Sequence, residues 1–236
     1  MNKWYRFALV AAFVAVIAVA VRTCQSSRDT LESIQNQDTT YSPDRRIASL
    51  KSPEGELFQD GRLLYQVKAD QGEIREDGKS IFLQGNIVAI SPDNQLTLRG
   101  NSLEWTPDED LLLVRDSIRG DHPQLQATAQ EARLFNKTQR LELLRGVVAK
   151  TEQEPWIGFE SETLVWLLEV DKLETDTPLQ VEQYAAKADS TVTDRLVGNQ
   201  GEFDLTEQQA TLRQQVQLNA LEIPLQTNSI IAVWDV

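Results

Sequence analysis

Tyr65-Gln66-Val67-Lys68-Ala69-Asp70-Gln71-Gly72 decides the fold, because Leu98-Arg99-Gly100-Asn101-Ser102-Leu103-Glu104-Trp105 repeats its pattern one unit later. In both, apolar and polar side chains alternate up to a small residue. A large apolar residue stands five positions beyond it, Ile74 after Ala69 and Trp105 after Gly100. The pair recurs as Ala129 and Leu134, Ser161 and Trp166, Gly198 and Phe203, and Ser229 and Trp234, the small residues lying 31, 29, 32, 37 and 31 positions apart. A repeat of this length marks one supersecondary unit used many times. Turn-forming clusters follow most of the units (Asp77-Gly78-Lys79, Pro107-Asp108-Glu109, Asn136-Lys137, Thr206-Glu207-Gln208), and a leucine then opens a second apolar stretch. Those stretches are Leu83 to Ile90, Leu113 to Ile118, Leu143 to Ala149 and Leu212 to Leu218. Period-two alternation belongs to a strand with one buried face, so each unit is predicted to be two strands and a tight turn. The unit around Val170 to Val181 fits least well.

Propensity alone reads two stretches differently. Gln124 to Leu144 and Thr206 to Leu221 are rich in Ala, Gln, Glu, Arg and Leu, and judged in isolation they would be helices. They align with Gly61 to Ile90 and Leu96 to Ile118, where Val, Ile, Gly and Asp-Gly argue for strands, and equivalent repeats share one conformation. Roughly eleven antiparallel strands with no helix to cover them have few stable solutions. Either the sheet folds into two layers, as a jelly roll or open sandwich, or it winds as a solenoid. The repeated small residue would let two layers approach or leave room between them.

Phe7 to Val21 runs fifteen residues without a polar side chain, with Lys3 and Arg6 before it and Arg22 after it. Such a helix is about 22 Å long, and Trp4 and Tyr5 can extend it into the interface. It reads as a single-pass anchor; a lipoprotein signal ending at Cys24 and a cleaved secretory signal are the alternatives, although Val21-Arg22-Thr23-Cys24 is a poor lipobox and no good small-x-small site is present. Lys3 and Arg6 stay in the cytoplasm by the positive-inside rule, which sends the rest of the chain to the periplasm or an equivalent space. The domains are expected as a membrane anchor over 1–23, a polar turn-rich tether over 24–56 and a β-domain over 57–236.

Composition narrows the chemistry. The 236 residues hold 23 Lys and Arg against 36 Asp and Glu, a net charge of −13, which repels a polyanion and argues against nucleic acid as a partner. One Cys and one His supply neither a disulfide nor a soft metal site, and no nucleophilic triad is in view. No cofactor is expected, and the chain does not read as an enzyme. Asp108-Glu109-Asp110 falls in an expected hairpin turn without the spacing of a calcium loop. His122 precedes Pro123 with no second soft ligand near it, and Glu160 and Glu162 lie two apart on an expected strand, both on its polar face.

Taken together, the apolar run at Phe7 to Val21, the polar tether, the Tyr65 to Gly72 unit with Asp77-Gly78 and Leu83-Gln84-Gly85-Asn86-Ile87, and its copy at Leu98 to Trp105 resemble the OstA-like lipopolysaccharide-export proteins, especially their membrane-anchored LptC branch. The resemblance implies an all-β open β-jellyroll, a bent two-layer antiparallel sheet of repeated hairpins, preceded by one N-terminal transmembrane helix in the inner membrane. It further implies an apolar groove that shelters lipid A acyl chains, receives lipopolysaccharide from the jellyroll domains of an inner-membrane ABC exporter and passes it to an LptA-like periplasmic bridge. The candidate lipid-binding residues are the inward set Val67, Ala69, Leu83, Ala89, Leu98, Leu103, Trp105, Leu113, Ala127, Phe159 and Trp166. The candidate partner edge is the last strand, Ser229, Ile230, Ile231, Ala232, Val233 and Trp234, where guarding charges are sparse. Two other classes compete with this reading: a structural β-repeat scaffold without lipid cargo, and a glycan-acting β-helix enzyme, against which the absence of clustered acids counts.

Overall fold

The computed structural model describes residues 46–59, 61–75, 80–187, 191–220 and 223–233. The chain divides into two compact units, Met1–Pro43 and Asp44–Val236, and every described residue belongs to the second. The expected anchor, residues 24–45 of the expected tether, and Trp234 lie outside the described residues. Among the described residues no helix is long and apolar enough to cross a membrane.

Among the described residues sixteen strands form a single sheet whose every pairing is antiparallel. Eight are long: β5 (Ile81–Ser91), β6 (Leu96–Thr106), β7 (Leu111–Asp121), β8 (Leu125–Phe135), β9 (Arg140–Thr151), β10 (Ile157–Leu167), β15 (Gln209–Ala220) and β16 (Ile223–Val233). The other eight are half-length and act in pairs, each pair a strand interrupted at a corner: β1 (Arg46–Lys51) with β2 (Glu54–Gln59), β3 (Arg62–Lys68) with β4 (Gln71–Arg75), β11 (Lys172–Thr175) with β12 (Leu179–Tyr184), and β13 (Val192–Gly198) with β14 (Gln200–Asp204). The pairing makes this plain, since β5 takes β4 against its first half and β3 against its second, and β10 takes β12 and β11 in the same way. The result is twelve ribbons in chain order, each bent once.

The helix-prone composition of 124–144 and 206–221 yields to this ladder: β8, β9 and β15 are strands. Two expectations are corrected. The sheet begins inside the expected tether, because the backbone of β1 pairs with β4 and that of β2 with β3. Among the described residues there are sixteen strands rather than roughly eleven, because corners split four ribbons and β1 with β2 adds one ribbon from the tether. One of those splits explains the weak fourth unit, where Asp176 to Pro178 interrupt β11 and β12 and the hydroxyls of Ser161, Thr163, Thr175 and Thr177 bond to one another across the gap.

The bend has a local cause. Midway along β5, β7, β9 and β15 the register slips, one residue more on these strands facing the neighbouring ribbon. Two consecutive residues there take left-handed φ: Gly85 and Asn86, Asp116 and Ser117, Arg145 and Gly146, Gln214 and Gln215. An aligned column of such bulges folds the whole sheet along one line. The repeated small residues stand on that line: Gly100 opposite Ile87, Ala129 opposite Ile118, Ser161 opposite Val147, Ser229 opposite Arg213, and Ala69 at the β3–β4 corner. A Cβ on Gly100 would lie 2.7 Å from Val114 Cγ1 and 3.2 Å from the Arg115 carbonyl oxygen, so a side chain there would force the two halves of the sheet apart.

On either side of the line the sheet makes two leaves. The first carries an inward row of bulky residues, Trp105, Leu112, Leu134, Leu141, Trp166, Leu173 and Phe203, in successive register. The second carries Ala89, Leu98, Gly120, Ala127, Ala149 and Phe159 in the same way. One row is all bulky and the other mostly small, the size complementarity by which two layers interdigitate at native packing density. Gly100→Val is expected to destabilise the protein by about 1–3 kcal/mol, the usual cost of overpacking. Gly55→Ala, at a glycine with nothing within 4 Å of the added Cβ, should change stability by less than about 0.5 kcal/mol; chemical denaturation of the two variants checks the difference.

Candidate functional site

The space between the leaves is the one place where all ribbons contribute apolar surface. Ten of the eleven candidate groove residues stand in the single buried core: Val67, Ala69, Leu83, Ala89, Leu98, Leu103, Trp105, Ala127, Phe159 and Trp166. Leu113 does not. It lies between Leu112 and Val114, which are both core residues, and pairs with Glu104 and Arg133, so it faces outward beneath charged neighbours. Leu111 to Val114 is apolar at four successive positions, so alternation could not set its phase; pairing of Leu112 with Trp105 and Val114 with Leu103 does.

The groove is not open as expected. Phe159 on the second leaf meets Phe203 on the first edge-to-face, their ring centroids 4.8 Å apart. At the free margins of the leaves, opposite the fold line, three contacts cross the mouth. The Tyr65 hydroxyl donates to Asn136 Oδ1. The rings of His122 and Trp166 pack edge-to-face at 4.8 Å. Gln208 Nε2 approaches the Glu154 carbonyl at 3.4 Å. Beside this last contact a cavity of about 60 Å³ is lined by Gln124, Thr151, Pro155, Ile157, Phe203 and Leu205, room for about two waters rather than an alkyl chain. Without an apolar guest, two oily walls lower their exposure to water by closing on each other.

Electrostatics at the mouth follow from this closure. Burial pushes the Tyr65 hydroxyl well above the ordinary tyrosine range, and the negative charge of Asp110 adds to the shift. Burial lowers the His122 pKa, and Asp171 partly opposes it. Asp110 ties two turns of the first leaf together, its Oδ2 accepting from the Lys137 backbone N–H at 2.8 Å. The Asp108-Glu109-Asp110 segment is thus a hairpin turn, and among the described residues no group of three or more His, Cys, Asp and Glu is placed to hold a metal. Glu160 and Glu162 are exposed. On the outer face, sequence reading missed Glu131, whose side chain is 3% exposed and bound by Arg133 at 2.6 Å and Arg145 at 2.9 Å. Tyr65 and Asn136 were also missed, since 71 positions separate them and nothing local links the two.

The margins of the sheet differ from the mouth. Among the described residues β16 pairs with β15 alone, which leaves its far side an edge, with Ile231 and Val233 exposed. β1 and β2 form the other edge, where Leu50 and Phe58 are exposed.

Residues 24–113 match the model of the family described as lipopolysaccharide-assembly, LptC-related. The matched segment takes in β1 to β6, the turn from Pro107 to Asp110 and the start of β7, and it includes both units that carry the resemblance in the sequence. Among solved structures the chain is similar to "LptH, the LptA homologous periplasmic component of the conserved lipopolysaccharide transport device from Pseudomonas aeruginosa", at 17% identity and a TM-score of 0.42 over 46% of this chain and 79% of that one. No curated protein sequence matches the chain.

A lowered His122 pKa has a definite sign. Below about pH 6.5 the unfolded chain takes up a proton there that the folded protein resists, so stability falls as pH drops from 7 towards the folded value. His122→Phe keeps a ring against Trp166 and removes the titration. Thermal melts between pH 7 and 5 should fall more steeply for the wild type than for this variant; parallel slopes would contradict the assignment.

Proposed function

We propose that this protein handles lipopolysaccharide at the inner membrane, its two leaves parting to receive acyl chains from the jellyroll domains of an ABC exporter and its free edge passing them to an LptA-like periplasmic bridge. The observation that carries the reading is an LptC-related segment that builds the first ribbons of a continuous apolar interior, itself bounded by two unpaired sheet edges. Placement in the periplasm follows from the charge argument at the N-terminus. Nothing in the role asks for a catalytic group.

Energetics favour tails over headgroups. Burying a methylene is worth about 0.8 kcal/mol, so a chain of about a dozen carbons offers roughly 10 kcal/mol before ordering costs. Opening the leaves exchanges wall-to-wall contacts for wall-to-chain contacts of the same apolar kind, and the net gain is the burial of the guest. A surface with net charge −13 would not attract a phosphorylated headgroup. Edge addition supplies the partner contact: β16 presents unpaired backbone groups and exposed Ile231 and Val233, the features strand addition uses.

The closed interior is the observation that favours a second reading, a scaffold without cargo. A photocrosslinking amino acid separates the two. At Leu98 and Phe159 it should yield lipopolysaccharide adducts in living cells, while at outward-facing Leu113 it should not. Equal or absent labelling at all three positions would leave the scaffold. The same probe at Ile231 should capture a protein partner.

A further inference from the structure

Buried polar atoms without a hydrogen-bond partner are uncommon, and each asks for an explanation. Among the described residues there are five on side chains: Trp105 Nε1, Trp166 Nε1, Asn136 Nδ2, Asp110 Oδ1 and Gln124 Oε1. All five line the mouth. Trp105 and Trp166 share one cross-strand row of the first leaf, next to its turns, with Leu112, Leu134 and Leu141 between them. Asn136 and Asp110 sit in those turns, and Gln124 sits in a turn of the opposite leaf beside the 60 Å³ cavity. The three donor groups belong to residues that are only 7% (Trp105), 1% (Trp166) and 8% (Asn136) exposed.

An indole N–H donates and cannot accept, and the Asn136 amide nitrogen is likewise a donor, its oxygen already taken by Tyr65. Burying such donors unpaired costs free energy, about the desolvation penalty of each group. A purely hydrocarbon guest would leave them unpaired. A guest with carbonyl oxygens at the head of its chains would satisfy them, if the chains ran towards the fold line and the linkages stayed at the mouth.

We infer that Trp105, Trp166 and Asn136 form a recognition rail for the ester or amide carbonyls that join acyl chains to their headgroup. The inference rests on the proposed lipid-carrying role and deepens it: the leaf interior holds the tails, and the rail fixes their orientation and discriminates acyl from alkyl amphiphiles. Carboxylate and amide oxygens at Asp110, on the same margin, and at Gln124, across the mouth, are available for hydroxyl groups near the linkage.

The test uses the full-length chain in amphipol and two matched probes, 1-monolauroylglycerol with its ester carbonyl and 1-O-dodecylglycerol without one. Calorimetric titration should give about tenfold tighter binding of the ester, as one or two well-made hydrogen bonds supply. Trp105→Phe and Trp166→Phe, which keep an aromatic ring but lose the N–H, should each lower that ratio towards one, the ester losing more affinity than the ether. Indole N–H resonances of these two tryptophans should move downfield with the ester only. Equal binding of both probes by the wild type, or variants that keep the ratio, would overturn the rail and leave the apolar trough standing. Failure of both probes to bind would overturn the rail and the trough together.

Discussion

Every larger feature of this protein depends on where a strand is allowed to bend. A flat ladder of twelve ribbons would expose one face and bury nothing, so the fold requires that each ribbon turn at the same height. The aligned bulges do this with pairs of left-handed residues, most of them not glycine, a conformation that costs roughly 1–2 kcal/mol for each residue with a Cβ. That cost is tolerable only because the neighbouring ribbons bend at the same level. Small residues at Ala69, Gly100, Ala129, Ser161 and Ser229 let the leaves converge there, and the Asn86 amide adds a brace to Asp70 Oδ2 at 2.8 Å, where β3 gives way to β4.

From that line outward the physics divides. Near the line, and up to the bulky row, the interior is apolar and complementary in size, with no polar group needing a partner. At the mouth the chemistry changes to tyrosine, histidine, asparagine and tryptophan, joined across the gap by a few contacts and carrying donors left unpaired. Among the described residues, the contacts that cross this closed margin include one side-chain hydrogen bond, one ring contact and one long amide contact. The fold line, in contrast, is held by continuous backbone ladders. The leaves are therefore tied firmly along one side and weakly along the other.

Much of this was legible in the sequence. Repetition overrode helix propensity at Gln124 to Leu144, because a ladder of equivalent units cannot accommodate one unit in another conformation. Alternation around Val67, Leu98 and Ala127 placed their side chains inward. Four successive apolar residues erased the phase at Leu113, and only cross-strand pairing restored it. β1 and β2 escaped notice because two strands with turn-forming Ser52-Pro53 between them look like linker. Closure of the mouth was not legible at all, since it joins residues such as Glu154 and Gln208, 54 positions apart, through tertiary packing alone. The match of residues 24–113 to the LptC-related family model agrees with the resemblance read from the first units, where the motif is most regular.

A trough that works by parting its leaves can be watched directly. Spin labels on exposed Lys137 and Gln153, one on each margin of the mouth, with Cys24 replaced by serine, report the gap by pulsed electron resonance. Adding lipopolysaccharide should lengthen the interlabel distance and broaden its distribution, while a label pair across the fold line stays unchanged. A mouth distance that does not move when lipopolysaccharide is bound would contradict the account.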